Sequence, residues 1–170
     1  MKLAEEKKVI LVTSALDLNT GDPATTKGIN MKGYHNCTFL IDIGTMTVAN
    51  ATIKVWSGAT DMDLASEVAF KYAYGASTSL WAAAGTTPAS GADILAAETT
   101  AVAATGLVVV QATYPNFMLM IEVDASDMDV ANEEEWLSIS ITCGTAEGLV
   151  TIFAILDPRY TSNRSATALA

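Results

Sequence analysis

The chain has 170 residues, of which 51% are hydrophobic and only 16% charged, with nineteen acids against nine bases and a net charge of −10. That composition describes one domain with enough apolar material for a sizeable core, and it excludes a disordered chain, which is charge-rich and apolar-poor. It also excludes a spanning helix: apolar runs such as Val9–Val12, Leu107–Val110 and Phe117–Ile121 fall far short of the roughly 20 residues one needs.

The charge distribution narrows the partners. No Lys or Arg occurs from Tyr72 to Pro158, and eleven acids do, including Asp124, Asp127, Asp129 and the run Glu133, Glu134, Glu135. Nucleic acid and anionic membrane surfaces are recognised by clustered cations, so this composition argues against both as partners. The acids read as a solvated face. The bases at the ends of the chain could meet that face across neighbouring subunits. Glu5 and Glu6 stand where an export signal would be basic, so synthesis in the cytoplasm is expected.

In chain order, residues 1–8 are polar and read as an N-terminal arm or a short helix. Val9–Thr13 is a β-branched run and a first strand, followed by a turn-rich loop through Asn19, Gly21, Pro23 and Gly28. Tyr34–Ile43 alternates with period two, placing Cys37, Phe39, Ile41 and Ile43 on one face. Thr52–Trp56 alternates again, with Ile53 and Val55 opposite Thr52, Lys54 and Trp56. Residues 57–67 read as a polar loop, and Val68, Phe70, Tyr72 and Tyr74 share the next face. The Ala/Thr/Ser/Gly-rich stretch 75–106 suits irregular structure with short strands near Ile94 and Thr100–Ala103. Leu107–Ala112, Phe117–Val123, Leu137–Cys143 and Leu149–Leu156 complete the strands, with an acidic loop at 125–135. Residues 159–170 are small and polar, and read as an extended C-terminal arm.

About eight short strands with Gly/Pro turns and no long helix define an all-β class, a jelly-roll-like β-sandwich over residues 9–158 with extended arms at 1–8 and 159–170. Several strands are apolar on both faces, whereas one face of each sheet in a sandwich is normally wet. Leu40, Met118, Met120, Val150, Ile152 and Leu156 are therefore candidates for a face that a partner covers, imperfect alternation being the plainer alternative.

The residues offer no reaction centre. His35 is the only histidine, and no nucleophile elbow, phosphate loop or zinc-ligand cluster is present. Catalytic, cofactor and metal sites are accordingly expected to be absent. The acids near Asp61, Asp63, Asp124, Asp127, Asp129 and Asn132 lack the calcium-loop spacing and read as ordinary turns, with calcium as the alternative. Cys37 and Cys143 read as buried free thiols, a disulfide requiring their strands to be neighbours. Trp56, Trp81 and Trp136 suit an interface, core filling or a sugar-stacking platform, and interface or core filling is favoured over the platform. The candidate interface residues are Trp56, Trp81, Met118, Met120, Trp136, Arg159, Tyr160 and Arg164.

The strand Tyr34-His-Asn-Cys-Thr-Phe-Leu-Ile-Asp-Ile-Gly44 and the segment Ala69-Phe-Lys-Tyr72 resemble small structural proteins of tailed bacteriophage heads. So do Met120-Ile-Glu-Val-Asp-Ala-Ser-Asp-Met-Asp-Val130 and the closing Leu156-Asp-Pro-Arg-Tyr160. The resemblance runs from about Tyr34 to Tyr160 and is to capsid decoration (cement) proteins. It implies a non-enzymatic virion protein on the outer capsid surface, assembled in the host cytoplasm. The implied partners are the major capsid protein and further copies of the chain, as a trimer. A carbohydrate- or receptor-binding module and a tail-ring protein are the alternatives.

Overall fold

The computed structural model describes residues 3–18, 24–44, 50–76, 79–82, 99–101, 105–109, 117–143, 148–164 and 168–169. One helical turn, α1 (Leu3–Glu6), leads into β1 (Lys8–Asp17). Two short pieces, β2 (Ala24–Thr25) and β3 (Ile29–Asn30), precede β4 (Tyr34–Ile43) and β5 (Ala51–Gly58). Then come β6 (Ser66–Val68), β7 (Phe70–Ala76), β8 (Ser79–Ala82), β9 (Thr99–Ala101) and β10 (Leu107–Val109). The chain closes with β11 (Phe117–Asp124), β12 (Trp136–Cys143) and β13 (Leu149–Pro158).

These strands form an all-β sandwich of two antiparallel sheets. The first runs β1-β13-β4-β11-β7-β8, with β9 also on β7. The second runs β10-β5-β12-β2, with β3 also on β12 and β6 also on β5. The alternation of β4 produces its place directly: Cys37, Phe39, Ile41 and Ile43 are buried, as are Leu119, Ile121 and Val123 on β11. Across the core lie Ile53 and Val55 of β5 and Leu137, Ile139 and Ile141 of β12, each at most 2% exposed. Each such side chain contributes roughly 1.5–3 kcal/mol of burial.

The turn-rich segment before Tyr34 is more ordered than its composition predicts. Ala24 and Thr25 pair with Ile141 and Ser140, and Ile29 and Asn30 pair with Leu137 and Trp136, so β2 and β3 are two halves of one edge. Between them Thr26 bridges the gap: its N–H donates to the Ile139 carbonyl, and its hydroxyl oxygen accepts from the Ile139 N–H at 3.0 Å. A side chain thus replaces a backbone acceptor, a substitution local composition does not reveal.

The C-terminal segment, expected as an extended arm from 159, returns to the domain at its end. The Asn30 N–H donates to the Ala168 carbonyl at 2.8 Å, Leu169 bridges to Ile29, and Ala168 is buried. Ala168 and Leu169 run antiparallel to β3, which gives this end of the tail backbone a ladder partner. At the other terminus residues 3–6 form the helical turn. The expected strand near Ile94 and the end of the Leu107–Ala112 run lie outside the described residues.

Gly58 ends β5 where the 59–65 loop folds back. A Cβ there would press on the Asp63 carbonyl oxygen and sit 2.6 Å from Asp63 Cβ. Because the obstacle is largely backbone, Gly58→Ala is expected to cost about 1–3 kcal/mol, read as a lower urea midpoint at unchanged slope.

Candidate interaction surface

Strand parity sets which side chains leave the core. On the first sheet β13 turns Val150, Ile152, Ala154 and Leu156 inward, all at most 1% exposed. This corrects the expectation for Val150, Ile152 and Leu156. They are core, and the outward set is Leu149, Thr151, Phe153 and Ile155. Leu40, Met118 and Met120 do lie on the outer face, as their strands' alternation requires.

Register then lines the outward side chains up. Leu11 pairs with Phe153, Phe153 with Leu40, and Leu40 with Met120, giving one apolar row across four strands. Val9 and Ile155 flank it on one side and Met118 on the other. Phe153 is 39% exposed, Met118 41%, Leu11 49% and Val9 50%. Large apolar side chains gathered at this exposure form a patch of the kind that marks contact with other protein. Asp42 and Glu122 border it, the latter accepting a hydrogen bond from the Thr38 hydroxyl at 3.4 Å.

The outer face of the second sheet is polar and internally engaged. The Trp56 Nε1–H donates to Ser140 Oγ at 2.8 Å, and Lys54 Nζ lies 5.6 Å from the Trp56 ring centre while paired with Glu67. Trp56 faces Ser138 across β12, which places Trp136 diagonally beside it. Trp136 in turn packs against Gly28, where an added Cβ would fall 3.1 Å from its ring. The Gly28 N–H is held by Asp61 Oδ1 at 2.5 Å. Both tryptophans are half-buried: Trp56 has its N–H bonded and its ring beside Lys54, and the Trp136 ring lies against Gly28.

A cleft of about 670 Å³ opens at one end of the sandwich. Its apolar lining includes Met31, Met128 and Val130, and Lys32, Arg159 and Glu133–Glu135 supply charge. Glu134 is 7% exposed, and its two carboxylate oxygens accept from the Ser57 hydroxyl at 2.5 Å and the Ser66 hydroxyl at 3.0 Å. Lys32 pairs with Glu135 at 3.2 Å, while Arg159 Nε donates to the Tyr34 carbonyl at 3.0 Å. Glu134 and Glu135 thereby tie the 125–135 loop to the second sheet and to Lys32, and Arg159 ties the end of β13 to the start of β4.

The acids of that loop serve as caps. The backbone N–H of Ser126 (2.8 Å) and its hydroxyl (2.7 Å) both donate to Asp124 Oδ1. Those bonds hold the Asp124 carboxyl below its ordinary value, so this cap persists above the carboxylate range and is lost as pH falls through the lowered pKa. Asp129 likewise accepts from the N–H and side-chain amide of Asn132. Glu133 takes a left-handed backbone at φ 58° to end the second turn.

The expected interface residues fall in three places. Trp56 and Trp136 are on the second sheet, Met118 and Met120 on the first, and Arg159 and Tyr160 just past β13, with Tyr160 70% exposed. Trp81 belongs to β8 and Arg164 to the turn Thr161–Arg164, but their side chains lie outside what is described. Sequence reasoning missed Phe153 and Ile155. The signal available was that Thr151 and Asp157 share their parity, which marks that face as the wet one. Cys37 and Cys143 are free and buried on opposite sheets, and burial pushes both thiols up. His35 is exposed at the start of β4, whereas Cys37 is buried. Comparisons with protein-family models, with curated proteins and with solved structures found no match.

Proposed function

We propose that this chain is a structural virion protein that decorates the outer capsid of a tailed phage, binding the major capsid protein and further copies of itself without a reaction centre. The observation that carries a contact role is the apolar row Leu11–Phe153–Leu40–Met120 on the outer face of the first sheet. The resemblance of the strand segments supplies the shell as partner, and the implied oligomer is a trimer. Many weak contacts repeated on a lattice multiply into firm attachment, so a protein working this way needs flat apolar area and a rigid body. The long run without Lys or Arg supports protein, not nucleic acid or membrane, as the surface engaged.

The finer fold reading belongs with this proposal. The orders β1-β13-β4-β11 and β2/β3-β12-β5-β10, with the chain passing between sheets, support a jelly roll of eight strands, with β6 added on β5 and β7–β9 extending the first sheet beyond β11.

Negative-stain imaging of the assembly isolated through a tag on this chain tests the role. A shell covered at regular positions is expected. A tail ring, or a free particle that turns over a small compound, would overturn it.

A further inference from the structure

We propose that two copies of this chain pair through the outer edge of β1, antiparallel about a two-fold axis at Ile10, so that their first sheets become one continuous sheet. β1 ends the strand order of its sheet, and among the described residues β13 is its only strand neighbour. An edge strand offers ladder groups to any strand laid beside it, and proteins commonly guard such edges with charge, proline or bulges. Here the guard is thin where the strand is regular, Lys8 being its one charged residue. Lys8 to Leu11 pair with Leu156 to Phe153 without a shift, and the irregularities begin only after Leu11. From Val9 to Leu16 the sequence holds no charged residue and no proline.

The side chains suit a second copy in particular. Val9 and Leu11 point to the outer face, each about half exposed at 50% and 49%, while Ile10 packs against the core. With Ile10 opposite its own symmetry mate, Val9 of each copy faces Leu11 of the other, because antiparallel pairing exchanges positions equidistant from the axis. Both residues are apolar, so the cross-strand pairs match, and the apolar row continues from one sheet into the next. The chain carries −10 overall, yet none of those charges lies between Val9 and Leu16, so like-charge repulsion is low along this edge. Lys7, at the strand's end, is already paired with Asp157 at 2.6 Å. The contact needs only the edge of each copy, so it forms between free chains in solution and is distinct from the trimer contact proposed above, which belongs to the shell-bound state.

Sedimentation velocity over a concentration series tests it. The full chain is expected to form dimers, and Val9→Lys with Leu11→Lys to remain monomeric throughout, with unchanged circular dichroism because both sites are exposed. Val9→Glu with Leu11→Lys should restore the dimer, since opposite charges then face each other across the axis. Ile10→Cys should give a covalent dimer on mild oxidation, seen on a non-reducing gel, because that residue faces its own mate while Cys37 and Cys143 are buried. A wild-type chain that stays monomeric overturns the pairing, as does association that survives the lysine pair or a failure of Ile10→Cys to cross-link. Each of these results leaves capsid decoration standing, because that reading is decided by the image of the tagged assembly.

Discussion

Phe153→Thr combined with Met118→Thr is expected to leave the fold intact and reduce attachment to the shell by about a hundredfold or more. Both side chains are about two-fifths exposed on the outer face of the first sheet, so truncating them opens no cavity. Threonine keeps the strand preference of the site, and surface changes of this kind stay within about 0.5 kcal/mol of wild-type stability. What is lost is contact area. A buried interface anchor contributes about 2 kcal/mol or more, and the two sit on strands separated by β4, so even a partial sum of their losses reaches about a hundredfold. Co-sedimentation of purified shells with wild-type and variant chain reads the effect. Equal occupancy would place the contact elsewhere and remove the main support for the proposed role.

Glu134→Ala is the second large effect, expected to cost about 3 kcal/mol of folding stability. The carboxylate is almost fully enclosed and is held by the Ser57 and Ser66 hydroxyls. Ser57 is itself completely buried, so removing the acceptor strands its hydroxyl without water. Ser57 lies on β5, Ser66 on β6, and Glu134 just before β12, so the loss loosens the 125–135 loop from the second sheet. Glu134→Gln keeps the volume and one acceptor and should cost only about 1 kcal/mol. A double-mutant cycle with Ser57→Ala, read from denaturant midpoints, isolates the pair. A coupling near zero would mean the hydroxyl finds another acceptor.

The candidate surface shows how far local pattern reaches. The alternation of Tyr34–Ile43 and of Leu137–Cys143 was enough to sort core from outside, because polar residues occupy the opposite parity. In Leu149–Leu156 both parities are largely apolar, so Thr151 and, just beyond the run, Asp157 are the only polar marks of the outer face, a weaker signal than the full alternation of the other strands. The apolar row needs four strands that are not consecutive in sequence, and no single segment contains more than one of its members.

Sequence by itself determined the all-β class, the position of the main strands, the burial of Cys37 and Cys143 and the absence of Lys and Arg between Tyr72 and Pro158, since these follow from period, composition and residue type. Tertiary structure alone decided which strands are neighbours, that Cys37 and Cys143 sit on opposite sheets, that Thr26 completes an edge, and that residues 168–169 close against β3. The physical reason is that strand pairing is made by hydrogen bonds between distant segments. Their partners are selected by packing of the whole sandwich and leave no mark within any one strand.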